Sequence, residues 1–285
     1  MTDEFYCGYD STWETEESQP KNARRQGGSR HVSRLFQLFT NSFLFDDFCF
    51  LSGVYIHNFH NRWAGDYNAL EYVHTYIQWL FPLQEPGMNH EASPLTEDEV
   101  KCFLENVTAK KNLLESYKLM LDFYGIVLCD EETGKVKRAS NWDERFQNLN
   151  NHTHNNLRIT RILKCLGTLG YPHYQSPLVR FFLEETLVHG ELPNIKDSVL
   201  NYFLFAVLDK RQRRSLIKFA YLNYDRKDEF VWCPKKIQMI ILINYWLKII
   251  INYHVYYQVI NKSHSCPLSF TLYDYWQNII QAIRL

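Results

Sequence analysis

The chain has almost no excess of charge of either sign: 31 Lys and Arg stand against 32 Asp and Glu, for a net charge of −1. A neutral chain has no overall attraction to nucleic acid or to anionic lipid, so any such binding needs a local patch. Apolar residues make up 46% of the composition and charged residues 22%, a globular mixture rather than a disordered one. The 285 residues provide one large or two small domains with a sizeable core.

Paired cysteines and catalytic motifs are missing. The seven cysteines are scattered without a CxxC pair, and the opening MTDEFYCGYD lacks the charged and apolar regions of a secretory signal. We therefore expect reduced thiols in an intracellular protein, without a disulfide framework or a zinc site. Because no nucleophile elbow, phosphate loop, HExxH or nucleotide fingerprint is present, we predict neither an enzyme nor a bound cofactor.

A dedicated membrane span is also missing. The apolar stretch EYVHTYIQWLFPLQEP (71–86) is too short to cross a bilayer. The apolar tail from Met239 is somewhat short for a span and has Lys248 near its middle, which is costly at a bilayer centre. Together with Leu70 just before it, the stretch 71–86 has apolar residues at helical spacing: Val73, Ile77, Leu80 and Phe81. Pro82 cannot continue the hydrogen bonding of a helix. The spacing therefore predicts a buried helix that ends near Leu80, with Trp79 in the core.

Helical periodicity dominates the rest of the chain. Thr96 and Glu99 match a capping box, and the helix that they open is predicted to bury Val100, Phe103 and Leu104. Further apolar stripes predict helices over 110–124, 156–166, 177–190, 197–207 and onward from residue 209.

Local signals mark where these elements begin and turn. Ser176 and Asp209 are predicted helix N-caps. IVLCDEETGKVKRAS is predicted to form a hairpin about Thr133 and Gly134. The predicted fold class is all-α: a single compact helical domain with one short β-hairpin.

One polar cluster, NLNNHTHNNLRITRI (148–162), is unusually dense. Free N–H groups at a helix N-terminus favour anions, so a phosphate, a carboxylate or a nucleic-acid backbone is a possible ligand. The candidate contacts are His154, Asn155, Asn156, Arg158 and Arg161. The more ordinary alternative is that Asn155 or Asn156 caps the helix and the histidines satisfy loop carbonyls. Two local histidines are too few for a metal site.

DKRQRR (209–214) is a basic patch in an otherwise neutral chain. The candidates for a nuclear-import signal or for phosphate contacts are Lys210, Arg211, Arg213 and Arg214. The alternative is a solvated helix face, and in both cases we expect these cations to point outward. Glu185 and His189, one helical turn apart, are expected to be a surface pair without a catalytic role.

The stretch YIQWLFPL resembles the signature of the opioid growth factor receptor family. Its residues are Tyr76, Ile77, Gln78, Trp79, Leu80, Phe81, Pro82 and Leu83. NNLRITRILKCLGTLG (155–170), PLVRFFLEETLVHGELP (177–193) and RRSLIKFAYLNY (213–224) are similar to further blocks of the family, in its order. DSTWE (10–14) is similar to the family's acidic opening. The resemblance covers roughly 53–236, about two-thirds of the chain.

This resemblance implies a non-enzymatic intracellular receptor, associated with the nucleus or the perinuclear membrane and also cytoplasmic. It implies binding of an opioid peptide of the methionine-enkephalin type and restraint of cell growth. The nuclear-import machinery is a further expected partner. No catalytic residue comes with the resemblance. The spacing of the signature residues indicates a structural role, so the peptide site stays unassigned.

Two segments depart from the family pattern. Residues 31–52 are Phe-rich and look unrelated, and the tail 237–285 is dominated by Ile, Asn, Tyr and Lys, residues of A/T-rich codons. We expect a translated intron or an alternative exon at both places. The predicted organisation is therefore a disordered arm (1–30), a divergent segment (31–52), a family-like helical domain (53–236) and an atypical apolar tail (237–285).

Two other hypotheses come from different classes of protein. A nucleic-acid- or phosphate-binding module would use Arg158, Arg161 and the patch 210–214. Its affinity would fall steeply with salt, whereas that of a receptor for a nearly neutral apolar peptide would not. The third hypothesis is an enzyme acting at the 152–156 loop.

Overall fold

The computed structural model describes residues 12–13, 56–89 and 92–261. Its helices, in chain order, are α1 (Ile56–Trp63), α2 (Tyr67–Tyr72), α3 (Tyr76–Leu80), α4 (Glu97–Glu105), α5 (Val107–Phe123), α6 (Trp142–Asn151), α7 (His154–Thr168), α8 (Gln175–Leu187), α9 (Lys196–Ser198), α10 (Leu204–Ala206), α11 (Lys210–Asn223) and α12 (Lys235–Asn261). A π-helical turn (Val199–Phe203) joins α9 to α10. The strands β1 (Ile126–Asp130) and β2 (Lys135–Arg138) form an antiparallel hairpin between α5 and α6. The predicted all-α fold with a short hairpin is confirmed.

The predicted arm (1–30) and the segment 31–52 lie outside the described residues, apart from Thr12 and Trp13. The described residues fall into two units, Met1–Asn223 and Tyr224–Leu285.

The apolar stripe from Leu70 to Phe81 forms two short helices. Asp66 opens α2, where its Oδ1 accepts a hydrogen bond from Ala69 N at 3.0 Å. Val73 then leaves the helix with extended backbone angles, φ −85° and ψ 122°. The prediction of one continuous helix is therefore wrong. Arg158 of α7 donates hydrogen bonds to carbonyl groups that are freed at this break, so the chain can leave the helix there. The predicted end is confirmed, since α3 stops at Leu80.

The predicted capping box at the start of α4 is confirmed. Thr96 N donates to Glu99 Oε2 at 2.7 Å, and Glu99 N donates to Thr96 Oγ1 at 3.3 Å. Phe103 is buried as predicted. Leu104 is 40% exposed and Val100 is half-buried, so the predicted burial is wrong for both. The helix ends one residue after Leu104 and packs chiefly through Phe103.

The hairpin turns at the predicted place. Asp130 orders the turn by accepting hydrogen bonds from Glu132 N at 2.8 Å and from Thr133 Oγ1 at 2.6 Å. Gly134 has a φ of 72°, and a Cβ atom there would lie 2.5 Å from Cδ1 of Tyr174. Both the backbone angle and the close contact therefore require glycine.

The core of the first unit lies among α5, α7, α8 and the segment after α8. The residues predicted to be buried on α7 and after α9 are each at most 2% exposed: Ile159, Ile162, Leu163, Leu166, Leu200, Phe203, Leu204 and Val207. Asp209 is confirmed as an N-cap, because Gln212 N donates to its Oδ1 at 2.8 Å. Ser176 is not one, because a 3-10 turn (Pro172–Tyr174) leads directly into α8 at Gln175.

The second unit consists mainly of α12 and the loop before it. Gln238 donates its Nε2 to Phe230 O at 2.8 Å and to Cys233 O at 2.6 Å. Beyond Gln238, the helix exposes large apolar side chains: Met239, Ile240, Tyr245, Trp246, Leu247, Ile249 and Ile251. In the part of the chain that the structure describes, no helix has both the length and the apolar character that crossing a membrane requires.

Candidate functional site

The polar cluster at the start of α7 surrounds a carboxylate that belongs to the protein itself. Glu71 of α2 is only 5% exposed. Asn148 of α6 donates its Nδ2 to Glu71 Oε2 at 2.6 Å, and Asn155 Nδ2 lies 3.3 Å from both carboxylate oxygens. His154 Nε2 lies 2.5 Å from Glu71 Oε1. The helix start that the sequence predicted to attract an anion is thus beside an internal one.

These contacts set the charge of Glu71. Burial acts to raise the pKa of the carboxyl, but the hydrogen bonds from Asn148 and Asn155, helped by the nearby histidines, outweigh burial and lower the pKa. Glu71 is therefore ionised at neutral pH and places a fixed negative charge beside α7.

Arg158 binds the main chain at the end of α2. Its side chain is 5% exposed. Nη1 donates to Leu70 O at 2.8 Å, and Nη2 donates to Glu71 O at 3.1 Å and to Val73 O at 3.2 Å. Nη1 also donates to Asn155 Oδ1 at 3.1 Å. Carbonyl groups at a helix C-terminus lack helical partners, so the guanidinium replaces hydrogen bonds that the break between α2 and α3 removes.

Two histidines border this network. His74 Nδ1 lies 2.9 Å from Arg158 Nη2, and the rings of His74 and His154 have centroids 5.0 Å apart. Burial and the neighbouring Arg158 lower the pKa of His154, against the opposing effect of Glu71. His154 is therefore neutral at pH 7. Among the described residues, no three His, Cys, Asp or Glu side chains are grouped to hold a metal ion.

The other two candidate contacts lie outside the network. Arg161 donates its Nε to Phe81 O at 2.7 Å, just after α3. Asn156 is buried but makes no contact with Glu71 in the described structure. The fold therefore brings together His154, Asn155 and Arg158 around Glu71. A role for any of these residues in binding an external anion stays a prediction.

The signature residues 76–83 form the other side of the same interface. Tyr76 is fully buried and donates its hydroxyl hydrogen to Leu70 O at 2.9 Å. Phe81 is fully buried, whereas Trp79 is half-buried rather than in the core as expected. Arg158 of the NNLRITRI block binds carbonyl groups at the end of α2, and Arg161 binds the one just after α3. The two sequence blocks therefore pack as one polar interface.

The basic patch 210–214 is divided between solvent and the protein interior. Arg211 is exposed, but Arg213 is 7% exposed and donates its Nε to Val207 O at 2.9 Å. The outward orientation predicted for all four cations is therefore wrong for Arg213. The helical periodicity that exposes Arg211 turns Arg213 toward the core two residues later.

The N-terminal segment also reaches this patch, a contact that the sequence did not reveal. Thr12 is fully buried. Its Oγ1 accepts a hydrogen bond from Arg213 Nη1 at 2.8 Å, and its main-chain oxygen accepts one from Arg214 Nε at 2.7 Å. The only available signal was that DSTWE (10–14) is similar to a family block and so is not an arbitrary linker.

A buried ion pair involving Glu185 was missed as well. Glu185 is 3% exposed, and its Oε1 accepts a hydrogen bond from Arg138 Nε at 2.8 Å. The Arg138 guanidinium also lies 4.0 Å from the ring centroid of Trp142. The expected surface pair of Glu185 with His189 is therefore wrong, because Glu185 faces β2.

Comparison with known proteins places these blocks in a family. The conserved region described as "Opioid growth factor receptor (OGFr) conserved region" matches residues 36–238, most of the chain. The chain belongs to the opioid growth factor receptor family. The match includes the whole interface around Glu71 and begins inside the segment 31–52. The predicted domain bounds, 53–236, stay a prediction.

Named relatives from this family are about half identical to the chain. The opioid growth factor receptor of Mus musculus is 53% identical over 195 residues, which are 68% of this chain and 31% of the relative. The opioid growth factor receptor-like protein 1 of Mus musculus is 53% identical over 184 residues, 65% of this chain and 39% of the relative. The opioid growth factor receptor of Homo sapiens is 53% identical over 184 residues, 65% of this chain and 27% of the relative.

The chain therefore spans about a third of the length of the curated relatives that it matches. No solved structure matches the chain.

Proposed function

We propose that this protein is a non-enzymatic receptor that binds an opioid peptide of the methionine-enkephalin type and restrains cell growth. The observation that carries the proposal is membership of a family whose relatives, at 53% identity, are named opioid growth factor receptors. The identity extends over 195 and 184 residues in these two relatives rather than over one short motif. A ligand shared by the family would therefore meet a shared surface of that unit.

The polar cluster supports this proposal over the phosphate-binding alternative. Arg158 and Arg161 donate hydrogen bonds to main-chain carbonyl groups, and the buried Glu71 already provides an anion beside Arg158. An external phosphate would have to take buried donors from those carbonyl groups, at a cost of about 1–3 kcal/mol for each group left unpaired. A binding surface elsewhere on the unit has no such cost.

We also propose that the protein is found in the nucleus or at the perinuclear membrane as well as in the cytoplasm. The exposed Arg211, with the half-buried Lys210 and Arg214 beside it, supports contact with the nuclear-import machinery. Arg213 does not take part, since it is buried.

The test is a titration of the full chain with fluorescently labelled methionine-enkephalin, followed by anisotropy. We expect saturable binding that a scrambled peptide does not reproduce and that changes little between low and high salt. Duplex DNA serves as the competing ligand. Binding of DNA with a steep salt dependence, and no discrimination between the two peptides, would favour the nucleic-acid alternative.

The growth effect needs a separate measurement. Cells that express the chain should divide more slowly when the peptide is supplied. Cells that express a folded variant unable to bind the peptide should not respond.

A further inference from the structure

An open groove of about 440 Å³ lies where the end of α5 meets the hairpin. Asp122 of α5, Val127 of β1 and Lys137 of β2 are among the residues that line it. We propose that this groove is the peptide site: it binds a short, extended peptide with a free α-amino group and a free α-carboxylate. This inference rests on the proposed receptor function and adds the location and the chemistry of the site.

The first argument is the availability of one cation. Among the described residues, three cations line the groove, and two of them are already paired. Lys118 Nζ lies 3.0 Å from Glu115 Oε1, and Arg138 is held by Glu185. Lys137 is exposed and makes no ion pair within the described residues. Its ammonium group is therefore available to bind a ligand carboxylate.

The second argument is a carboxylate held in a fixed orientation. Asp122 is the only acid among the described residues that line the groove. Tyr67 donates its hydroxyl hydrogen to Asp122 Oδ2 at 2.8 Å, and Asn141 Nδ2 lies 3.3 Å from Oδ1. These contacts orient the carboxylate while the residue stays exposed. Asp122 also lies in the last turn of α5, where the free carbonyl groups of the helix favour a cation.

Asp122 and Lys137 therefore give the groove one site for a positive group and one for a negative group. A short peptide with unblocked ends carries both charges. A peptide with this charge distribution is nearly neutral overall. The protein has a net charge of −1, so it has no long-range attraction to a highly charged ligand. A nearly neutral peptide does not need such an attraction.

The third argument is the open edge of the hairpin. Ala139 N donates to Gly125 O at 2.9 Å, so Gly125 and, two residues on, Val127 belong to hydrogen-bonded pairs of the ladder. Leu128 then directs its N–H and C=O groups away from β2. Leu128 is half-buried and lines the groove, whereas Ile126 is 1% exposed and forms its floor. An extended peptide would pair with Leu128 at this edge and add a third strand to the two-stranded sheet.

An apolar contact completes the site. Val127 is 38% exposed and lies directly opposite Lys137 across the hairpin. A side chain of the bound peptide would cover Val127 together with the methylene groups of Lys137. The groove thus offers main-chain hydrogen bonds for affinity, an apolar surface for one side chain and two charges that select the free ends.

The experiment titrates the full chain with methionine-enkephalin and with forms blocked at one end. We expect Lys137→Gln to weaken binding of the free peptide by about tenfold, the loss of one charge-assisted hydrogen bond, and to have no effect on the C-terminally amidated form. Asp122→Asn should act in the same way on the free peptide and have no effect on the N-acetylated form. Lys101→Gln is the matched control, because Lys101 pairs with the exposed Asp98 away from the groove, and it should leave the affinity unchanged.

Hydrogen exchange provides a second readout. The amide proton of Leu128 should exchange more slowly in the complex if the peptide pairs with β1. Peptide binding that is unchanged in both charge variants, without protection of this amide, would overturn the groove and leave the receptor function in place. Failure of the unmodified chain to bind the peptide at all would overturn the receptor function and the groove together.

Discussion

Arg158 Nη1 lies 2.8 Å from Leu70 O, although the two residues are 88 positions apart in the sequence. Through this contact α7 supplies hydrogen-bond donors to the C-terminal carbonyl groups of α2. Arg161 does the same just after α3, at Phe81 O. Two arginines that look like anion ligands in the sequence therefore act as distant caps of two short helices.

Arg158 is therefore expected to contribute strongly to stability. Arg158→Ala leaves the main-chain carbonyl groups of Leu70, Glu71 and Val73 without their guanidinium donor, and should lower the free energy of unfolding by about 3–5 kcal/mol in urea denaturation. Arg158→Lys should recover only part of the loss, because one ammonium group cannot reproduce the fork of two Nη atoms. Lys101→Ala, which removes an exposed ion pair, should change stability by less than about 0.5 kcal/mol. Similar effects of the Arg158→Ala and Lys101→Ala substitutions would contradict this role.

Glu71 should make stability depend on acid pH. Its pKa is lower in the folded chain than its usual value of 4.5, so its contribution is fully present above that value and is lost as the pH falls through the folded pKa. Glu71→Gln should be less stable than the unmodified chain at pH 7 and should lose less stability between about pH 5 and pH 3. Thermal unfolding across this range measures both effects. An identical acid dependence in the two proteins would show that Glu71 is not the responsible group.

The signature residues Phe81 and Trp79 should differ in their effect on stability. Phe81 is fully buried, so Phe81→Ala should lower the free energy of unfolding by about 3–5 kcal/mol. Trp79 is half-buried, so Trp79→Ala removes less buried surface and should cost less. Chemical denaturation of the two variants gives the comparison. A larger loss for Trp79 would mean that its buried part carries most of the packing at the end of α3.

Local features of the fold were predictable, and distant partners were not. The caps at Thr96 and Asp209 and the turn at Gly134 depend on residues close in sequence, and all three were predicted correctly. The apolar stripe of α7 also predicted its buried face. A polar residue on a helix, however, has the same local pattern whether it faces water or a partner far along the chain. The sequence therefore gave no indication that Arg138 pairs with Glu185.

The same limit applies to the candidate site. His154, Asn155 and Arg158 are close in sequence, so their position in one cluster needs no distant contact. Their common partner, Glu71, lies more than 80 positions away, in the apolar stretch 71–86, and it was not among the predicted contacts. The groove at the hairpin has no sequence signal, since its residues become neighbours only when β1 pairs with β2 and packs beside α5.

Arg213 and Arg211 offer a matched test within the basic patch. Arg213→Ala removes donors to Val207 O and to Thr12 Oγ1 in a buried site and should cost about 2–4 kcal/mol. Arg211 is exposed, so Arg211→Ala should change stability by less than about 0.5 kcal/mol. If nuclear import uses the exposed cations, Arg211→Ala should reduce nuclear accumulation of a fluorescent fusion without unfolding it. Reduced import only in the Arg213 variant would instead reflect its instability.

The tail from Met239 onward is predicted to be dispensable for the first unit and to reduce solubility. The helix α12 exposes Trp246, Ile249 and other large apolar side chains, and exposed apolar surface of this kind promotes aggregation. The first unit, Met1–Asn223, has its own core, so removal of 239–285 should leave its melting temperature within about 4 °C, equivalent to less than about 1 kcal/mol. Light scattering should show less aggregation, and Trp246→Lys in the full chain should reproduce part of the gain without truncation. A truncated chain that no longer unfolds cooperatively would show that the tail stabilises the first unit, and this account of it would be wrong.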